Sequence, residues 1–319
     1  MTNKSSNEIQ YLEQVAYTLR IRDDTLIKLS VVVLASLLFI YINSMMFYTL
    51  LSRPVFRELP RYVLFAHMLC NDTVQMAVTS MLFIMVMYLL QLTKALCAVI
   101  VYVSAVTYRN AAFNVAVMSL ERYVAICFPL RHSQMVTHSA TAVAISVMWM
   151  LSSICPVIDI FYGIIMDPMF FSGQIFCFRE MLVRTTWQIK MFQTVNGMSF
   201  VSVTLIIIFT YIGVIIAARG VSTDKSTAQK AKRTILLHFI QLIFCLTSLL
   251  YGSIEGLLTN LSNVELFRSL RFVNFLLMLI LPRCLSPLIY GLRDDAVRPL
   301  FLYYVGCGSK KVKPSVNAH

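Results

Sequence analysis

The sequence predicts an all-α membrane protein, a bundle of seven transmembrane helices followed by a short carboxy-terminal interfacial helix. Three observations carry the expectation. Of the 319 residues 58% are hydrophobic and 13% charged, with a mean hydropathy of +0.74, whereas soluble domains carry about 25% charged residues. Seven stretches hold the roughly 20 predominantly apolar residues that an α-helix needs to cross a bilayer. No internal repeat, low-complexity segment or long linker divides the chain, so a single domain is sufficient.

Residues 1–25 are polar and hold Lys4, Glu8, Glu13, Arg20 and Asp23. A cleaved signal peptide is therefore not expected, and the first apolar stretch directs insertion. The spans fall at about 26–50, 62–90, 97–128, 141–165, 192–217, 235–258 and 272–292, which makes 26–292 the transmembrane domain and 293–319 a tail. An odd number of spans puts the two ends on opposite sides of the membrane. With the amino terminus outside, the inner connections and tail hold fourteen Lys and Arg against ten on the outer side, Lys28 at the mouth of the first span included, at higher density because the inner connections are mostly shorter. The positive-inside rule favours that orientation, and it accounts for part of the formal +12 charge without implying nucleic acid. In the tail, Asp294 to Tyr304 alternates charge with Val297, Leu300, Phe301 and Leu302, the pattern of a short helix lying on the bilayer surface. Cys307 just beyond is a candidate for palmitoylation.

Five of the eight cysteines fall inside spans and Cys307 in the tail, leaving Cys97 and Cys177 at the outer face. Two cysteines in an oxidising compartment pair, and their bond would pin the long second outer connection over the bundle. Asn3-Lys4-Ser5 and Asn260-Leu261-Ser262 are outer glycosylation sequons, of which Asn3 is the better placed, farther from the membrane. Asn71-Asp72-Thr73 has the same pattern but sits inside a span.

Residues 118–132 read MSLERYVAICFPLRH, placing Glu121, Arg122 and Tyr123 at the inner end of the third span. A charge near hydrocarbon is costly, about 2.5–3.5 kcal/mol for Arg on insertion scales, so Arg122 must pair or snorkel to the headgroups, and Glu121 is the adjacent partner. The string resembles the third-helix signature of odorant receptors, a branch of the rhodopsin-like G-protein-coupled receptors, with Glu121 in place of the usual Asp. Residues 58–76 (ELPRYVLFAHMLCNDTVQM) are similar to the second-helix region of that family and closest to its teleost fish branch. KAKRTILLH at 230–238 resembles the start of the sixth helix, and LPRCLSPLIYGLRDD at 281–295 the end of the seventh.

The resemblance implies a receptor for a small odorant entering from the extracellular side, and one reading of Arg109, given below, makes that odorant acidic. It also implies a heterotrimeric G protein of the stimulatory olfactory type, a rise in cyclic AMP, and a plasma membrane location in the cilia of olfactory sensory neurons. It assigns Arg122, held by Glu121 at rest, with Tyr123, Tyr211 and Tyr290 to the activation switch. Lys230, Lys232 and Arg233 would border the groove for the G protein, besides serving as positive-inside anchors. Asn43, Asp72 and Ser286 form the internal polar network. Ser286 stands where the broader family has Asn and offers fewer hydrogen-bonding groups. Arg283, one turn from Ser286, is expected to pair with Asp72 in the space where many relatives bind sodium, the alternative being Arg283 satisfied by backbone carbonyls. In the sixth helix Leu246 replaces an expected aromatic residue, and Tyr251 follows five residues later.

Ligand chemistry rests on Arg109, twelve residues past Cys97 and so about 18 Å down a helix. An intramembrane Arg is a functional candidate. It either binds a carboxylate or phosphate or joins an internal ion pair with Asp159 or Glu255. By alignment Ser104, Tyr108, Asn196, Ser199, Tyr251 and Glu255 line the same cavity, among mostly aliphatic neighbours. Ser104 stands where amine receptors carry Asp, which disfavours an amine. No metal-ligand spacing, phosphate loop or nucleophile elbow occurs, so neither catalysis nor a cofactor is expected. A transporter would break corresponding helices with Gly or Pro, whereas Pro156, Pro282 and Pro287 form no paired pattern.

Overall fold

The structure is a computed structural model that describes residues 23–183, 185–221, 243, 244, 246–258, 264–285, 294 and 296–305. Among them, five helices are long and apolar enough to cross a membrane. They are α1 (Asp23–Leu51), α2 (Pro60–Met87), α3 (Lys94–Cys127), α4 (His138–Met166) and α5 (Thr186–Val221). The sixth expected span is described over residues 246–249 and α6 (Tyr251–Leu258), and the seventh over α7 (Val264–Asn274) and the turns after it; α8 (Val297–Val305) lies on the tail. Asn3, Asn260, the 230–238 string, Ser286, Tyr290 and Cys307 lie outside the described residues.

Helix starts are set by capping more than by hydropathy. Thr93 Oγ1 accepts the Leu96 N–H at 3.4 Å and Thr137 Oγ1 accepts the Ala140 N–H at 3.1 Å, so α3 and α4 each begin three residues before their apolar stretches. Pro60 opens α2 at a position where its missing N–H costs nothing. The α5 helix begins at Thr186 and runs through Trp187, Gln188 and Lys190 before the apolar stretch expected at 192. The seventh helix likewise starts before 272, and Phe275–Ile280 is π-helical, which its run of Leu and Ile does not announce.

Packing centres on α3, which lies against α2, α4 and α5. Met46, Leu50, Phe65, Leu69, Val115 and Met148 form the main buried cluster, joined by Val297 and Phe301 of α8. Leu34, Met150, Leu205 and Phe209 are exposed on the outside of the bundle, as a lipid-facing surface requires. Polar side chains lie inside: Asn71 Nδ2 donates to the Thr107 carbonyl at 2.9 Å and Asn114 Nδ2 to the Leu64 carbonyl at 3.3 Å, tying α2 to α3. Asn71 is buried, so its sequon is out of reach of glycosylation. Asn43 of α1 is also fully buried.

The helical architecture has one short exception. Strands β1 (Gln91–Thr93) and β2 (Gln174–Phe176) pair antiparallel, with Leu92 opposite Ile175. Beside them Cys97 and Cys177 form the expected disulfide, their Cα atoms 5.3 Å apart. Strand and disulfide together hold the segment after α4 across the top of α3. At the opposite end, α8 buries Val297, Leu300 and Phe301 and leaves Leu302 exposed. Asp294 caps it by accepting the Ala296 and Val297 N–H groups at 3.0 and 3.3 Å. The same carboxylate accepts the Tyr62 hydroxyl of α2 at 3.2 Å, and Tyr304 packs edge-on against Tyr48 of α1.

Candidate functional site

Pro156 sits inside α4 and has no N–H to offer the carbonyl of Ser152, one turn earlier. Arg109 supplies the missing donor: its Nη1 reaches that carbonyl at 3.2 Å, while Nη2 reaches Asn196 Oδ1 of α5 at 3.3 Å. Arg109 is 1% exposed, and its guanidinium lies 5.8 Å from the Phe192 ring. The internal ion pair with Asp159 or Glu255 is not formed. Asp159 accepts from Gln188 Nε2 at 3.0 Å and faces Arg179 at 3.8 Å. Glu255 pairs with Arg271 and accepts from Asn274 Nδ2 at 3.4 Å. Arg109 is held by neutral oxygens, with no carboxylate among the described residues within 4.0 Å.

The seven candidate ligand residues divide accordingly. Arg109 and Asn196 meet directly, and Tyr251 and Glu255 are joined by Asn274, whose Nδ2 also reaches the Tyr251 carbonyl at 3.4 Å. Tyr108 lies between the two groups, its hydroxyl donating to the Ser248 carbonyl at 2.6 Å. Ser199 turns its hydroxyl back to the Val195 carbonyl of its own helix at 2.7 Å, and Ser104 is half-buried on α3. None of the seven lines the cavity at the Cys97–Cys177 end of α3.

That cavity has a volume of about 400 Å³ and lies between α3, α4, α5 and the segment after α4, within the range of small-molecule sites. Its walls are mainly apolar and include Tyr102, Ile160, Phe170 and Phe192. Two ion pairs border it. Lys94 Nζ meets Asp167 Oδ2 at 2.7 Å, and Asp159 faces Arg179, which stacks 3.6 Å over the Phe192 ring. Phe192 thus borders the cavity, and the Arg109 guanidinium lies 5.8 Å from the same ring. Lys94, Asp167, Arg179 and Gln188 were not apparent as site residues in the sequence. The available signal was proximity in the chain: Lys94 and Arg179 each lie within three residues of a disulfide cysteine.

At the other end of α3 the buried Glu121 carboxylate meets His132 Nε2 at 3.3 Å. This pair stands in place of the expected Glu121–Arg122 contact, because His132 opens a one-turn helix, His132–Met135, folded back beneath α3. Arg122 and Tyr211 are half-buried there. The Tyr123 ring packs against Phe209 of α5 at 5.3 Å, and a Cβ placed on Gly213 would collide with it. Deeper in the bundle, Arg283 Nε lies 3.7 Å from Asp72 Oδ1, both residues buried, and Arg283 Nη1 donates to the Leu279 carbonyl at 2.7 Å. Arg283 therefore uses both partners that the sequence offered it. A cavity of about 10 Å³ beside them, bordered by Ala111, Ser248 and Pro282, is at the limit for one water molecule.

Membrane-length helices, a disulfide at one end of α3, buried interior polar groups and a charged cluster at the other end define a membrane helix bundle of the receptor type. Residues 42–290 match the 7 transmembrane receptor (rhodopsin family). A zebrafish (Danio rerio) protein, odorant receptor 131-2, is 33% identical over 282 residues, spanning 88% of this chain and 86% of its own. The chain belongs to the odorant receptor branch of the rhodopsin family, a family of receptors and not of enzymes.

Proposed function

We propose that this receptor binds a small odorant in the cavity beneath the disulfide-pinned segment and activates a heterotrimeric G protein of the stimulatory, olfactory type, raising cyclic AMP. The observation that carries the ligand site is the cavity of about 400 Å³ at the Cys97–Cys177 end of α3, remote from the charged cluster at the Arg122 end. The α3 helix borders the cavity and carries Glu121, Arg122 and Tyr123 in its last two turns, and α5 borders it with Phe192 and carries Tyr211, so these two helices are the elements through which binding reaches the switch. The amino terminus is extracellular, glycosylated at Asn3, and the receptor resides in sensory cilia. The odorant carries an anionic group. Arg179 on the wall and Arg109 near Phe192, with no carboxylate among the described residues within 4.0 Å of Arg109, give this region positive potential.

The test is a cyclic-AMP assay in cells carrying the receptor and an olfactory-type stimulatory G protein, screened with acidic, neutral and amine odorants. A response to acid-bearing compounds is expected, and it should weaken in Arg179→Gln at matched surface expression. Surface-expressed receptor that responds to none of the panel would overturn the coupling. A response confined to neutral or amine compounds would overturn the anionic group.

A further inference from the structure

We propose that Phe192 is the residue through which occupancy of the cavity reaches α6, with Gly252 as its point of contact there. The inference rests on the cavity being the ligand site and names a positioning residue within it. Among the described residues the cavity is walled by α3, α4, α5 and the segment after α4, and none of its lining residues comes from α6 or α7. A ligand held there acts on α6 through a side chain that stands between the two.

Phe192 stands in that place. Its ring borders the cavity and carries the Arg179 guanidinium at 3.6 Å. On the α6 side Gly252 faces the same ring: a Cβ built on Gly252 would lie 3.9 Å from Phe192 Cε1, an ordinary van der Waals contact. The layer beneath gives the contact its reach. There two consecutive residues of α3 tie the helices together. Tyr108 donates to the Ser248 carbonyl, four residues before Gly252, and Arg109 reaches Asn196, four residues past Phe192, as well as Ser152 of α4. Residues four apart share one face of a helix, so Phe192 and Gly252 each stand one turn from a bond made to α3. A ligand packed against the cavity side of the ring favours the ring position turned toward Gly252. That differential contact is what a ligand needs in order to shift an equilibrium.

The experiment compares full-length wild type, Phe192→Tyr, Phe192→Leu, Gly252→Ala and the double variant Phe192→Leu with Gly252→Ala. Each is melted in lipid nanodiscs and assayed in membranes for guanine-nucleotide exchange on stimulatory and inhibitory G proteins. Without ligand, Gly252→Ala places a methyl against the ring and should raise exchange by about fivefold, the lower end of coupling between sites. In the Phe192→Leu background the methyl has no ring to meet, and the rise should vanish. An equal rise in both backgrounds, or none on the wild type, overturns the proposal. With 3-phenylpropanoic acid, hexanoic acid, 3-phenylpropanol and hexylamine as probes, Phe192→Leu should keep the melting shift of whichever probe binds and lose its exchange response, while Phe192→Tyr keeps both. Loss of binding and response together would make Phe192 a wall of the cavity and nothing more. If Phe192→Leu does not reach the membrane, Phe192→Met takes its place in both arms. Should no probe bind, the cavity fails as the site for this panel, and the cycle without ligand still decides the contact. Exchange on the inhibitory G protein alone, with the cycle intact, would refute the stimulatory coupling and support the relay.

Discussion

If Arg109 replaces the hydrogen bond that Pro156 denies to Ser152, then Arg109 and Pro156 are energetically coupled, and a double-mutant cycle measures the coupling. The perturbations are Arg109→Met, which keeps the bulk of the side chain but removes the charge and both donors, and Pro156→Ala, which restores an N–H to α4. In the wild type, Arg109→Met strands the Ser152 carbonyl and Asn196 Oδ1, the acceptors now reached at 3.2 and 3.3 Å. In the Pro156→Ala background the new N–H takes the Ser152 carbonyl, and half of that loss disappears. Hydrogen bonds from charged donors are worth about 1.5–3 kcal/mol in soluble proteins. Interhelical bonds in a membrane bundle average about 0.6 and reach about 1.7 kcal/mol, and the latter range applies here. Melting of the four purified receptors should therefore show the double mutant about 0.6–1.7 kcal/mol more stable than additivity predicts. At about 2–4 °C per kcal/mol that is a deviation of about 1–7 °C. Additive losses, within the ~0.5 kcal/mol seen for independent sites, would show that Arg109 does not stand in for the missing donor.

Two further predictions concern the lower half of the bundle. Gly213→Ala should force the Tyr123 ring from its place against Phe209, costing about 1–3 kcal/mol as overpacking and changing basal cyclic AMP; unchanged melting and basal signal would show that the ring gives way freely. Asp72→Leu should destabilise strongly, by about 3–5 kcal/mol, because it leaves Arg283 buried without its carboxylate, while Asp72→Leu with Arg283→Met recovers most of the loss. Agonist affinity of the wild type should also be insensitive to sodium, and a clear weakening of affinity on sodium titration would refute the occupancy of that space by Arg283.

Five of the spans were legible as helices because lipid imposes continuous apolar length, and the cysteine pairing because only Cys97 and Cys177 fall outside the expected spans and tail. Helix starts were less so: Thr93 and Thr137 act through single cap contacts that no hydropathy window registers. The ladder of Gln91–Thr93 with Gln174–Phe176 is too short to show an alternating pattern, and the π-helical turn at Phe275 depends on neighbouring helices. At the site, Arg109 was legible as an anomaly, a charge deep in a span. Its partner was not, because that partner is a backbone carbonyl; the presence of Pro156 does imply an orphan acceptor at Ser152, so the clue was in the chain. The cavity is the space that three helices and one connection leave unfilled, and no single segment encodes it. The Asp72–Arg283 pair was legible because a lone interior Arg requires an anion and Asp72 lies at similar depth.

Asp294 accepts the Tyr62 hydroxyl while capping α8, and Tyr304 abuts Tyr48. The tail helix is thereby fastened at both ends to the first two helices, so α1, α2 and α8 meet in one block. Such a block is a fixed frame at the end of the bundle opposite the disulfide. Motion of the other helices is then measured against it, and a partner docking there finds one wall of its seat already in position before any ligand arrives.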